Sequence, residues 1–319
     1  MTFMKCAAVL AAVTLGTLTL AGCTDTISTA DNSSGDQKVA SVGLMVQDLG
    51  NPFFASMNNG VKAAAEKLGA SYSAQDGRQD LGAQNDQIDA FIQKGLDILL
   101  INAVDSEGIG PAVQRARDAG IIVVAVDVGA KNAQATVTTD NVQAGTLACQ
   151  SLVDQIGAKG EILIVDGTPI TSIEDRMTGC NEVLKENPDV KVVGHQNGDN
   201  GREKGLTLTT DMLTANPNVV GIFGVNDPSS LGATLAAQQA GMKDLVITGV
   251  DGSPEAIAEM KKSGSMFKAT AAQDPNLLGA KALEMAVQLF EGKTLPKDLI
   301  LVPSSIVDSS NLASYKGWQ

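Results

Sequence analysis

Val39-Ala40-Ser41-Val42-Gly43-Leu44-Met45-Val46, followed closely by Asn51-Pro52-Phe53-Phe54, is the stretch on which the reading of this chain turns. The first run is short, apolar and rich in valine, which predicts a buried strand. Pro52 suits the first position of a helix, where a missing N–H costs nothing, and Asn51 suits the cap before it. The two phenylalanines then sit where a strand hands over to a helix. In an open α/β sheet that place is the rim of the ligand crevice. Aromatic residues make up only 3% of the chain, so two adjacent rings there need a reason. They are read either as core residues of the first helical turn or as part of a binding surface.

Beyond this unit the same pattern repeats. Apolar runs over 97–101, 121–126, 161–165, 190–193, 219–223 and 245–250 read as strands of buried parallel sheets. Helical patterns over 53–68, 84–94, 112–119 and 229–240 stop at Gly69, Gly95, Gly120 and Gly241, and glycine just past a helix is a common stop. Two more helical patterns cover 141–156 and 174–187. Repeated strand–helix–strand units imply right-handed parallel crossovers. There are too many units for one sheet. The expected fold class is α/β, with two doubly wound parallel-sheet lobes.

Polar residues fall at the carboxyl ends of the expected strands. Asn102 follows Leu99-Leu100-Ile101, Asp127 follows Val123–Val126, Asn226-Asp227 follows Ile222–Val225, and Asp251 follows Ile247–Val250. Arg176 comes after the strand ending at Asp166 and a loop with glycine and proline. Each Asp or Asn alone is explained by helix capping. Several of them on both halves, facing two phenylalanines, are better explained by a shared pocket. Carboxylates and amides make paired hydrogen bonds to vicinal hydroxyls, and Arg adds a rigid fork of donors. Phenyl faces pack against the C–H face of a sugar ring. A neutral polyhydroxylated ligand suits this mixture, whereas an anion would ask for more Lys and Arg.

The start of the chain reads as an address. Lys5 precedes an apolar stretch from Cys6 to Leu20, which predicts a secretory signal over residues 1–22. Leu20-Ala21-Gly22-Cys23 resembles the lipobox of bacterial lipoproteins, which implies lipidation at Cys23 and anchoring to the cell envelope, in the periplasm or on the outer face of the plasma membrane. Residues 23–37 are small and polar and are expected to be a flexible tether. The formal net charge is −13, which repels nucleic acid and anionic membrane surfaces.

Of the four cysteines, Cys149 and Cys180 lie on successive helical patterns flanking one strand. Export makes a disulfide between them the expected state, with two buried free thiols as the alternative. One His and so few Cys argue against zinc, and nothing in the sequence asks for a cofactor. No Gly-x-Ser-x-Gly, no phosphate loop and no Gly-x-Gly-x-x-Gly after a strand is present. His195 is expected to be a strand-end residue rather than a base. The chain is therefore not expected to be an enzyme, although Asp127 and Asp251 keep a glycosidase-like pair as a remote alternative.

With these residues in view, the chain resembles the ribose-binding branch of the type I periplasmic solute-binding proteins. The resemblance rests on Asn51-Pro52-Phe53-Phe54, Leu99–Asn102, Thr139-Asp140-Asn141, Asn226-Asp227 with Leu231-Gly232-Ala233, Gly249–Pro254 and Ala271-Ala272-Gln273. It implies two lobes joined by a three-strand hinge, with crossings near Thr139-Asp140, after Gln273 and near Pro303. The first lobe would hold residues 38–139 and 274–302, the second 140–273 and 303–319. By the resemblance Asn51, Phe53, Phe54 and Asp127 would bind ligand from the first lobe, and Arg176, Asn226 and Asp251 from the second, with Gln273 beside a hinge strand. A monomer would deliver a sugar to an ABC transporter permease. A chemoreceptor or sensor kinase downstream is the alternative. Ribose binders of this branch carry Arg after the first-lobe Asp and a third ring near residues 199–200. Here Val128 and Asn200 stand there, which leaves a different pentose, a hexose or an acyclic polyol open beside ribose.

Overall fold

The computed structural model describes residues 38–318. The signal, Cys23 and the tether lie outside the described residues.

The first sheet contains β1 (Ser41–Val46), β2 (Ser71–Asp76), β3 (Ile98–Ile101), β4 (Ile122–Val126), β5 (Ala135–Thr139) and β11 (Leu299–Val302). Its order is β11-β5-β4-β3-β1-β2, and every pairing is parallel. The second sheet contains β6 (Gly160–Asp166), β7 (Val190–Asn197), β8 (Gly221–Gly224), β9 (Val246–Asp251), β10 (Phe267–Ala272) and β12 (Ser305–Val307). Its order is β12-β10-β9-β8-β6-β7, parallel except for β12.

The helices are α1 (Pro52–Leu68), α2 (Leu81–Lys94), α3 (Gly110–Asp118), α4 (Asn141–Gln155), α5 (Thr171–Glu186), α6 (Arg202–Ala215), α7 (Asp227–Gln239), α8 (Pro254–Met260) and α9 (Pro275–Phe290). Successive strand residues point to opposite faces, so each strand feeds two cores. Leu44, Val46, Leu100, Val124 and Val126 pack toward α1 and α9. Met45, Leu99, Ile101, Val123 and Ala125 pack toward α2 and α3. In the second sheet Ile162, Ile164 and Phe223 meet α4 and α5, while Leu163, Val165, Ile222 and Ile247 meet α6 and α7. Both sheets are therefore doubly wound.

Several expected boundaries move. The helix expected from Gln84 starts at Leu81, because Asp80 caps it by accepting the Ala83 N–H. The helix expected from Glu174 starts at Thr171. The strand expected to end at Val193 runs to Asn197, so His195 lies within β7, its Nε2 2.7 Å from Asp166 Oδ2 on an exposed face. Strand β2 is half-buried and polar and carries no apolar run, and β5 is mostly threonine and alanine. Neither has the composition that marks a buried parallel strand.

The chain passes between the sheets three times: from Thr139 into α4, from Ala272 into α9, and from Val302 into β12.

Candidate functional site

The carboxyl ends of both sheets border one cleft of about 750 Å³. All the residues singled out for a ligand line it. Asn51, Phe53, Phe54 and Asp127 come from the first sheet's side; Arg176, Asn226 and Asp251 come from the second; Gln273 follows β10.

Two of them combine capping with lining. Asn51 accepts the Phe53 N–H at 2.9 Å, and Asn226 accepts the Ser229 N–H at 3.0 Å. The amide of Asn226 also donates to the Asn200 carbonyl. The phenylalanines likewise have two places at once. They are buried in the first lobe's core, yet border the cleft, with rings 5.5 Å apart and nearly perpendicular.

The two aspartates hold unusual backbone. Asp127 has φ 67° and Asp251 has φ 137°. Side-chain-bearing residues rarely occupy this region, which costs on the order of 1–3 kcal/mol and clusters at functional sites. Hydrogen bonds hold both. Thr138 Oγ1 donates to the Asp127 carbonyl at 2.6 Å, and the Gln273 N–H donates to the Asp251 carbonyl at 2.9 Å.

Arg176 is the buried cation between them. Its Nε donates to Asn141 Oδ1 and its Nη1 to the Val225 carbonyl, both at 2.9 Å, and Nη1 lies 3.5 Å from Asp251 Oδ1. Its place is set by a close helix crossing. A Cβ on Gly145 of α4 would stand 2.0 Å from the Arg176 carbonyl oxygen, and one on Gly179 of α5 would stand 2.1 Å from that of Val142. Only glycine permits this approach. The same two helices are joined by the Cys149–Cys180 disulfide, with Cα atoms 5.1 Å apart.

Burial pushes the Asp127 carboxyl up to about 6, with Arg176 pulling it back and Asp251 adding to the rise. Asp251 is raised by burial too, and Asp227 beside it by burial and by the charge of Asp251. Asp127 Oδ2 accepts from Asn102 Nδ2 at 2.9 Å, while its buried Oδ1 has no hydrogen-bond partner. A buried carboxylate oxygen left unmatched is costly unless a ligand donates to it.

Sequence reasoning put Asp227 among the strand-end polar residues without giving it a role of its own, and missed Trp318. Asp227 lies behind Asp251 without lining the cleft: it accepts from Thr270 Oγ1 and the Ser253 N–H, and its own N–H donates to Asp251 Oδ2. Trp318 is a third aromatic residue on the cleft, placed on the first lobe's side rather than near position 200. It lines the cleft, its centroid 5.8 Å from that of Phe53. Its being the chain's single tryptophan was the available signal. Val128, in place of an arginine, is fully buried in the second lobe's cluster with Ile170 and Ile173. At this lip the Gly129 N–H donates to Thr171 Oγ1 at 2.8 Å, so the lobes touch away from the hinge. Among the described residues no group of three or more His, Cys, Asp or Glu is placed to hold a metal, and no helix is long and apolar enough to cross a membrane.

Comparison with known proteins agrees with this geometry. Residues 42–294 match the family described as periplasmic binding protein domain. The ribose import binding protein of Bacillus subtilis (strain 168) is 33% identical over 271 residues, covering 84% of this chain and 87% of that protein. The xylitol-binding protein of Mycolicibacterium smegmatis (strain ATCC 700084 / mc(2)155) is 28% identical over 299 residues, covering 92% and 82%. Among solved structures, an ABC transporter periplasmic solute-binding protein from Actinobacillus succinogenes 130z with bound D-allose superimposes with a TM-score of 0.80 at 30% identity, covering 86% of this chain and 100% of that one.

Proposed function

From the premise that the chain belongs to the periplasmic binding protein family, as a sugar-type solute-binding protein of an ABC transporter and not an enzyme, we propose that it captures one neutral monosaccharide, a pentose or hexose, or a polyol of that size. The observation that carries this reading is the pairing of Asp127 and Asp251, one from each lobe, around one cleft that also holds Arg176 and the Phe53–Phe54 pair. Two buried carboxylates and a guanidinium match a ring or chain of hydroxyls, and the aromatic surface matches its C–H face. The net charge among these three groups is too negative for an anionic ligand.

Capture works by hinge closure. Asp127 and Asp251 can grip one ligand only when the lobes are together, so ligand favours the closed population. The permease then takes the closed form. We further propose that Cys23 is lipidated and holds the protein at the cell envelope, on the strength of Leu20-Ala21-Gly22-Cys23.

A thermal-shift panel of pentoses, hexoses and polyols tests the binding reading, because a ligand that binds only the folded state raises its stability by mass action. At least one compound is expected to raise the midpoint in a concentration-dependent way and to shrink the radius of gyration in solution scattering. A panel with no active compound would count against the reading. Anchoring is tested separately: Cys23→Ala should move the protein from the membrane fraction to the soluble one.

A further inference from the structure

The segment after β12 does something that the two sheets do not require. It turns at Asp308, whose N–H donates to Asn311 Oδ1, while Asn311 Nδ2 donates back to the Ile306 carbonyl. Leu312 and Tyr315 then pack on Ile257, Ala272 and Val307 of the second lobe, and Tyr315 Oη donates to the Gly252 carbonyl. At its far end Trp318 Nε1 donates to the Asp251 carbonyl at 2.8 Å. The indole ring itself belongs to the first lobe's apolar cluster and meets Phe53 edge to face. One side chain is thus tied to the second lobe by its N–H and to the first by its ring. It also borders the cleft beside the carboxylate of Asp251.

We propose that Trp318 is the ligand-discriminating ring of the cleft, favouring ring-form sugars over open-chain polyols with comparable hydroxyls. This rests on reading the cleft as a sugar or polyol site. An indole is the largest flat apolar face available to a side chain, and its contact gain depends on how much flat carbon surface is laid against it. A pyranose, furanose or inositol ring presents such a surface rigidly. A linear polyol must first fix several rotatable bonds, and ordering them costs affinity. The hydroxyl-binding groups Asp127, Arg176 and Asp251 treat both classes alike, so the difference falls to the rings, among which Trp318 is larger than Phe53 and Phe54. The Nε1 bond to Asp251 fixes the indole against the same residue whose carboxyl grips the ligand.

The test compares wild type, Trp318→Phe and Trp318→Ala against D-ribose, D-allose, myo-inositol, xylitol and glycerol, by thermal shift and calorimetric affinity. The affinity ratio of the best cyclic to the best open-chain ligand is expected to fall about tenfold in Trp318→Ala, and to stay within about threefold in Trp318→Phe. A residue with a merely structural role would weaken all ligands by one factor and leave the ratio unchanged, and that result overturns the inference. Wild type that binds xylitol or glycerol but no cyclic compound overturns it as well, leaving the binding reading standing. If no compound stabilises wild type, the binding reading fails and this inference with it. Should Trp318→Ala not fold, the emission of the single tryptophan in wild type decides: a saturable change with a cyclic ligand that exceeds the change with a polyol supports the inference, and an equal or absent change overturns it.

Discussion

Thr139 and Gln273, 134 residues apart in the chain, are joined by a 2.6 Å hydrogen bond from Thr139 Oγ1 to Gln273 Oε1. Thr139 ends β5 of the first sheet, and Gln273 follows β10 of the second. The other end of the Gln273 amide donates to Asp251 Oδ1 at 2.7 Å. Two of the three crossings between the lobes are therefore wired to a carboxylate of the cleft. Thr139 does not line the cleft, so Thr139→Val isolates the hinge link. It is expected to change affinity for every ligand by one common factor of about two to ten, since a hydrogen bond of this kind is worth about 0.5–1.5 kcal/mol. Calorimetry over several ligands checks this, and a reordering of their preferences would refute it.

Replacing Asp127 by asparagine separates stability from binding. At neutral pH the native state bears the cost of an ionised, buried carboxylate with one unmatched oxygen. Asp127→Asn removes the charge and keeps an acceptor for Asn102. The ligand-free variant is expected to melt higher than wild type at pH 7.5, by an amount on the order of 1–2 kcal/mol, while losing its ligand-induced shift. A variant that melts lower and still responds fully to ligand would contradict the assignment.

The same carboxyl sets a pH dependence. Its folded value of about 6 lies above its ordinary value of 3.8, so between these limits the folded state binds more protons than the unfolded one. Stability from this group is therefore greatest below pH 3.8 and declines as pH rises toward about 6. Ligand affinity runs the other way, because a hydroxyl donates best to the ionised form. Titrations from pH 5 to pH 7.5 are expected to show tightening, and Asp127→Asn should flatten the profile. An affinity that weakens over this range would exclude Asp127 as the acceptor.

Arg176 is expected to be the costliest single loss in the cleft. Arg176→Leu leaves Asp127 and Asp251 facing each other without their cation and strands Asn141 Oδ1 and the Val225 carbonyl. Breaking a buried pair in this way costs about 3–5 kcal/mol. Chemical denaturation at pH 7.5 and pH 5 checks it: the loss should be smaller at the lower pH, where the carboxylates take up protons. Equal losses at both values would show that the charge is not what matters.

The Cys149–Cys180 disulfide closes a loop of 31 residues within the second lobe. Replacing both cysteines by alanine should lower stability by about 3 kcal/mol. Ligand affinity at low temperature should hold, because the bonds of Arg176 to Asn141 and to the Val225 carbonyl do not involve the bridge, one helical turn further along α5. Loss of binding without loss of stability would give the bridge a different role.

Much of this was legible because the chemistry and the backbone ask for the same residues. Asn51 and Asn226 are written into the sequence as caps, and capping already puts them at the rim. Asp127 and Asp251 follow apolar runs whose ends define the ligand side. The strands that carry no apolar run, β2 and β5, were illegible, since one is a half-exposed edge and the other is mostly threonine and alanine. Trp318 escaped for another reason. Its position depends on a segment that no periodicity describes, returning across both lobes to reach Phe53 and Asp251. The start of α5 was misplaced because its cap position is Ile170, which makes no side-chain cap bond.

Strand β11 and helix α9 complete the first lobe, yet they come after the whole run from α4 to β10. During synthesis, then, Val42, Leu44 and Val124 have only the part of their cover that α1 supplies until Leu278, Ala282 and Leu283 have emerged. The nascent first half must stay an unfinished, adhesive intermediate while more than a hundred further residues are added. A fragment of residues 38–139 is accordingly expected to bind a hydrophobic dye and to melt without cooperativity. The arrangement that gives the protein its hinge also delays its maturation, and makes its two halves inseparable by any single cut.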